Sequence, residues 1–88
     1  MASKGGVHAL TVSLAAELAR YDIRVNTLAP GIIRTPLIGD GADDMAAIHP
    51  LGRIGEVGET SDAALYLARA GFVTGTTLAV DGGYSHAR

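Results

Sequence analysis

Cysteine and tryptophan are absent from these 88 residues, and other aromatics are scarce, one phenylalanine and three tyrosines. Without thiols the chain forms neither disulfides nor thiolate metal sites. Basic residues are also few, seven Lys and Arg scattered against nine acids. A nucleic-acid footprint needs them clustered, so no nucleic-acid partner is expected. No apolar run approaches the ~20 residues of a membrane-spanning helix. The first residues show no basic segment leading into an apolar core, so the expectation is no secretory signal and a cytoplasmic protein. His8, His49 and His86 are too dispersed for metal-ligand spacing. No P-loop and no Ser-His-Asp arrangement is legible. What remains is 48% hydrophobic, enough for one small globular unit. A chain of this size buries only about 60% of its unfolded surface.

The organising stretch is Val25-Asn26-Thr27-Leu28-Ala29-Pro30-Gly31-Ile32-Ile33-Arg34-Thr35. Apolar and polar residues alternate from Ile23 to Leu28, which predicts a strand over about 23–29. Pro30 cannot donate to a sheet ladder, and Gly31 tolerates backbone angles that other residues resist, so the strand stops there. In open α/β sheets ligands bind just past the carboxyl ends of strands. Pro30, Gly31 and the hydroxyl of Thr35 thus mark a candidate binding edge, with an ordinary turn as the alternative.

On either side the pattern is regular. A helix is expected over about 6–20, with Val7, Leu10, Leu14 and Leu18 as an apolar stripe. Alanines widen the stripe so far that burial on two sides is expected. From about 34 to 58, five glycines and two prolines predict a loop with at most a short helix near 43–48. Leu37, Ile38, Met45, Ile48 and Leu51 are its apolar contacts. Asp40, Asp43 and Asp44 read as a solvated acidic turn. Thr60-Ser61-Asp62 offers N-caps for a helix over about 60–69 with Ala63, Ala64, Leu67 and Ala68 inside. A last strand follows at about 76–80 and turns away at Asp81-Gly82-Gly83. Strand, helix, strand forms one βαβ unit and calls for a parallel pair. Asn26, mid-strand, is read as part of a buried hydrogen-bond network.

Three stretches in order, Ala2-Ser3-Lys4-Gly5-Gly6, Arg24 to Gly31, and Val80-Asp81-Gly82-Gly83, resemble the short-chain dehydrogenase/reductase family. The resemblance runs over essentially the whole chain but matches only the last third of that family's usual length. It implies an α/β fold: a partial Rossmann-like, doubly wound parallel sheet, represented by its last two strands and their helices. It also implies NAD or NADP as cofactor, hydride transfer with a small alcohol or carbonyl substrate, a substrate lid at 34–58, and a homo-oligomer paired through the first helix. Lys4 matches the lysine of the catalytic Tyr-x-x-x-Lys, where a cation favours the phenolate and also meets the cofactor's ribose hydroxyls. The tyrosine would precede Met1 by one position. Tyr21, Tyr66 and Tyr84 follow Lys4 at spacings that do not suit that role. The alternative for Lys4 is a solvated lysine at a helix start. Thr35 and the backbone of Ile33 match positions that hold the nicotinamide amide and phosphates; the alternative for Thr35 is a turn threonine bonded to its own backbone. The segment 67–72 is a few residues shorter than the family pattern, so an altered lead-in to the last strand is expected. Without the tyrosine and the Gly-rich phosphate loop, the 88 residues alone are expected to be inactive. The rival expectation is a non-catalytic truncated remnant that self-associates or docks on a partner.

Overall fold

A computed structural model describes residues 3–86, with the side chains of 39–43 and of residue 86 left out of account. Helix α1 spans Lys4–Leu18, followed by a 3₁₀ turn at Ala19–Tyr21. It begins two residues before the expected start because Ser3 caps it: the Ser3 hydroxyl accepts the Gly6 N–H at 3.0 Å. Asp22 takes a left-handed conformation, φ 60°, which redirects the chain toward the sheet; aspartate tolerates it better than most residues.

Strand β1 is Thr27–Pro30, and the last strand, β4, is Thr77–Val80. They pair in parallel, Thr27 opposite Thr77 and Pro30 opposite Val80. Residues 23–26 alternate as a strand does but have no strand partner; they instead serve the joint before β4. Arg24 Nη1 donates to Leu67 O at 2.7 Å and Val73 O at 3.3 Å, and Nη2 to Ala68 O at 2.8 Å. Asn26 bridges the same joint, giving a proton to Val73 O at 3.0 Å and accepting from Thr76 N–H at 3.1 Å. Gly75, at φ 77°, donates to Val25 O at 2.8 Å. The stretch between α2 and β4 is thus held by the Arg24 and Asn26 side chains.

The expected 34–58 loop is more ordered than its glycines and prolines suggest. Strand β2 (Ile33–Arg34) pairs in parallel with β3 (Gly55–Glu56), and a 3₁₀ helix covers Gly39–Ile48. Two-residue strands carry no periodicity, so composition could not show them. Helix α2 spans Val57–Arg69 and starts directly from β3. Its N-cap is Glu56, whose N–H is taken by Glu59 Oε1 at 3.0 Å, so Thr60-Ser61-Asp62 lie inside the helix.

Packing is thin. Ala15, Ile54 and Leu67 are the buried apolar side chains among the described residues, joined by the polar Thr11 and His49. On α1 the inward stripe is Val7, Thr11, Leu14, Ala15 and Leu18, with Leu10 60% exposed. Thr11 replaces the expected Leu10 because its hydroxyl bonds Val7 O at 2.8 Å and also meets the Thr27 hydroxyl. One side of α1 rests on the sheet; its other side is open. On α2 Leu67 and Ala63 turn inward while Ala64 and Ala68 are exposed.

Candidate functional site

The carboxyl end of β1 opens onto a cleft of about 790 Å³. Lys4 enters it from the first turn of α1, Pro30 and Gly31 from the end of β1, Met45 and Ile48 from the 3₁₀ helix, and Tyr84 from the C-terminal turn. Three expected site residues, Lys4, Pro30 and Gly31, therefore converge. Ile33 lines a neighbouring cavity of about 530 Å³ beyond the loop, with Arg53 and Glu59. Thr35 lines neither. Its hydroxyl and carbonyl both accept the Ile38 N–H, at 3.4 and 3.2 Å, the self-bonded turn threonine named above as the alternative.

A cation in the first turn of a helix opposes the helix dipole, and Lys4 has two compensations. Its Nζ lies over the face of Tyr84, 5.6 Å from the ring centroid. Asp81 supplies an opposing charge. Sequence spacing set Tyr84 aside as a partner of Lys4, and the turn after β4 brings it back through space. The contact is with the ring face. Burial pushes the Asp81 carboxyl up, but hydrogen bonds from Ser85 and Gly83 and the Lys4 charge outweigh it. The net is a pKa below the ordinary aspartate value. Its two oxygens accept Gly83 N–H at 3.0 Å and Ser85 N–H at 3.1 Å, so Asp81 builds the turn that carries Tyr84.

Gly31 is fixed by space. A methyl group there would lie 2.9 Å from Asp81 Cα and 3.0 Å from His49 Nε2, closer than real contacts allow. Its N–H donates to Val80 O at 3.0 Å, continuing the parallel ladder one residue beyond Pro30.

His49, which the sequence marks only as too far from His8 and His86 for metal-ligand spacing, is 3% exposed and lines both cavities. Its Nε2 accepts the Ile32 N–H at 3.3 Å, and Nδ1 donates to Met45 O at 3.0 Å. These partners assign the neutral ring with its proton on Nδ1. A histidine next to a proline in a glycine-rich stretch gives no signal of burial, so sequence could not find it. Among the described residues no cluster of His, Asp and Glu could hold a metal ion. No helix there is long and apolar enough to cross a membrane.

A family model described as Enoyl-(Acyl carrier protein) reductase matches residues 1–85. The chain is 49% identical to the galactitol 2-dehydrogenase (L-tagatose-forming) of Cereibacter sphaeroides, over 97% of this chain and 37% of that protein. It is 43% identical to the NADP-dependent (R)-specific alcohol dehydrogenase of Lentilactobacillus kefiri, over 96% of this chain and 37% of that one. Among solved structures, ElxO with NADP bound superimposes with a TM-score of 0.81 at 35% identity, covering 94% of this chain and 37% of ElxO. The chain therefore spans little more than a third of the length of the relatives it matches. With its parallel strands and flanking helices it is part of a Rossmann-like α/β fold, and the chain belongs to the short-chain dehydrogenase/reductase family.

Proposed function

We propose that this chain forms the nicotinamide-facing part of an NAD- or NADP-dependent oxidoreductase acting on a small alcohol or carbonyl substrate. The observation that carries this reading is the convergence of Lys4, Pro30 and Gly31 on one cleft at the carboxyl end of β1. The residues fit half of a dinucleotide. Val7, Leu28 and Ile48 offer an apolar wall for a flat ring, and the Lys4 ammonium has three donors for ribose hydroxyls. Among the described residues Lys4 is the one Lys or Arg lining the cleft, so the diphosphate needs further groups. A bound nicotinamide would give or take the hydride. Lys4 would hold the ribose and favour the ionised form of an acid/base phenol, and Pro30 and Gly31 would border the ring. The relatives that name a nicotinamide cofactor, ElxO and the Lentilactobacillus enzyme, support the cofactor class. A cytoplasmic homo-oligomer completes the reading.

The test follows NADH and NADPH absorbance with a panel of small ketones and alcohols, using the full-length protein that carries this sequence. Turnover is expected, and Lys4→Ala should lower kcat/KM by about a hundredfold or more. No turnover with any partner, or an unaffected Lys4→Ala variant, overturns the reading.

A second reading has its own observation. Leu37 is 95% exposed, Leu51 69% and Leu10 60%, which suits a non-catalytic module that associates through apolar faces. Turnover abolished by Lys4→Ala would exclude it.

A further inference from the structure

We propose that His49 is a positioning residue for the cofactor edge. Its buried imidazole fixes the Gly31–Ile32 peptide and ties it to the 3₁₀ segment that carries Met45 and Ile48 into the cleft. The proposal rests on the reading of that cleft given above.

The geometry is specific. Three hydrogen bonds hold the loop after β1: Gly31 N–H to Val80 O at 3.0 Å, Ile32 N–H to His49 Nε2 at 3.3 Å, and Gly55 N–H to Ile32 O at 2.9 Å. Peptides are planar and trans, so C=O and N–H of one unit point in opposite directions. Fixing Ile32 N–H on His49 therefore aims the Gly31 carbonyl away from the imidazole. Fixing Ile32 O on Gly55 likewise aims the Ile33 N–H. Of these three anchors, the histidine is the one supplied by a side chain. It is also the one that reaches the 3₁₀ segment, through Nδ1 to Met45 O at 3.0 Å. Its own turn is closed by Gly52 N–H on His49 O at 2.7 Å. Its ring packs against Tyr84 at 5.8 Å between centroids, tilted 45°. One ring thus joins the loop after β1, the 3₁₀ helix and the C-terminal turn. An apolar side chain of similar size would leave the Ile32 N–H without its partner in a half-buried position, a loss costly enough to shift a loop.

The experiment compares the wild-type full-length protein with His49→Gln and His49→Leu. Dinucleotide binding is read by NADH and NADPH fluorescence, kcat at saturating cofactor by absorbance, and imidazole tautomer by ¹⁵N NMR. Glutamine can offer an oxygen where Nε2 stood, and leucine cannot. Expected are binding within about threefold of wild type for His49→Gln and about tenfold weaker binding for His49→Leu. In His49→Leu kcat at saturating cofactor should fall by less than binding does, since the loss is felt first in holding the dinucleotide. The wild-type His49 should show the Nδ1-protonated signature. Should His49→Leu not fold, His49→Asn takes its place, being too short to reach Ile32, with the same tenfold loss expected. The proposal is overturned if glutamine binds as poorly as leucine, if leucine binds like wild type, or if the proton sits on Nε2. A wild-type protein that binds neither dinucleotide would overturn the cofactor reading itself, whereas the tautomer spectrum judges the histidine clamp independently.

Discussion

Single side chains do work here that the sequence pattern does not announce. Arg24 closes the carboxyl end of α2 from more than forty residues away, with three carbonyls on one guanidinium. Alternation along 23–28 shows a polar position there, but only the folded chain shows what it reaches. Arg24→Ala should cost about 1.5–3 kcal/mol in urea denaturation of the full-length protein, because charge-assisted bonds are lost, two of them to part-buried carbonyls. Arg24→Lys should recover only a minor part, since an ammonium lacks the planar fork. Gly31 is the opposite case, legible as a special position beside Pro30, though for a reason sequence could not supply. The obstruction is the backbone of Asp81 at 2.9 Å, together with His49, and neither can swing away as a flexible side chain would. Gly31→Ala should therefore destabilise by about 1–3 kcal/mol. A variant as stable as wild type would mean that the Asp81 turn moves freely, and the rigid edge argued above would lose its support.

Among the elements, long periodic segments were readable and short ones were not. The helix at the N-terminus, the stop of β1 at Pro30, the parallel pairing with the last strand and the turn at Asp81 follow from periodicity, breaker residues and the βαβ rule, whereas the alternation over 23–26 belongs to no strand. The β2–β3 pair escapes because two residues cannot show a period. The start of α2 was misplaced because Thr60-Ser61-Asp62 offers stronger capping types than Glu56, yet β3 holds the chain so that the helix begins at Val57. That start depends on charge. Arg53 donates to both Glu59 oxygens, at 2.8 and 2.9 Å. This bond, then the Glu56 N–H, hold the Glu59 pKa at about 2 against an ordinary 4.5. The same pairing raises Arg53. A carboxylate whose pKa is lower folded than unfolded stabilises above its unfolded value and loses that contribution as pH falls toward the folded one. The stabilisation should thus be complete above about pH 4.5 and drain toward pH 2. Asp81, also shifted down, adds to the same slope. Urea midpoints measured through that window should fall less steeply in Glu59→Gln than in wild type. Added salt should narrow the difference, because the pair is exposed and screened. Equal slopes would show the pair to be energetically silent.

At the scale of the whole molecule, the interior is too small for the surface it leaves. The Cα radius of gyration is 14.7 Å, against about 12 Å for a compact domain of this length. Buried apolar side chains among the described residues come down to Ala15, Ile54 and Leu67, whereas Phe72 and Leu37 stand almost wholly in solvent. Helix α1 is covered on one side: the sheet beneath it has two strands, and nothing among the described residues lies against its far side. Such surface is stable in water only when covered. An isolated 88-residue polypeptide should therefore bind a hydrophobic dye strongly and sediment as a distribution that grows with concentration. Replacing Leu37 and Phe72 together by lysine should weaken dye binding while leaving the urea midpoint nearly unchanged, since fully exposed positions contribute within about 0.5 kcal/mol. In the full-length family member the same substitutions separate two possibilities. A position covered by the rest of the protein will show a large loss of stability, and a position open to solvent will not. A monomeric, dye-silent 88-residue chain would contradict the exposed-surface argument outright, because it would require a packing of α1 and the two-strand sheet tighter than the one described.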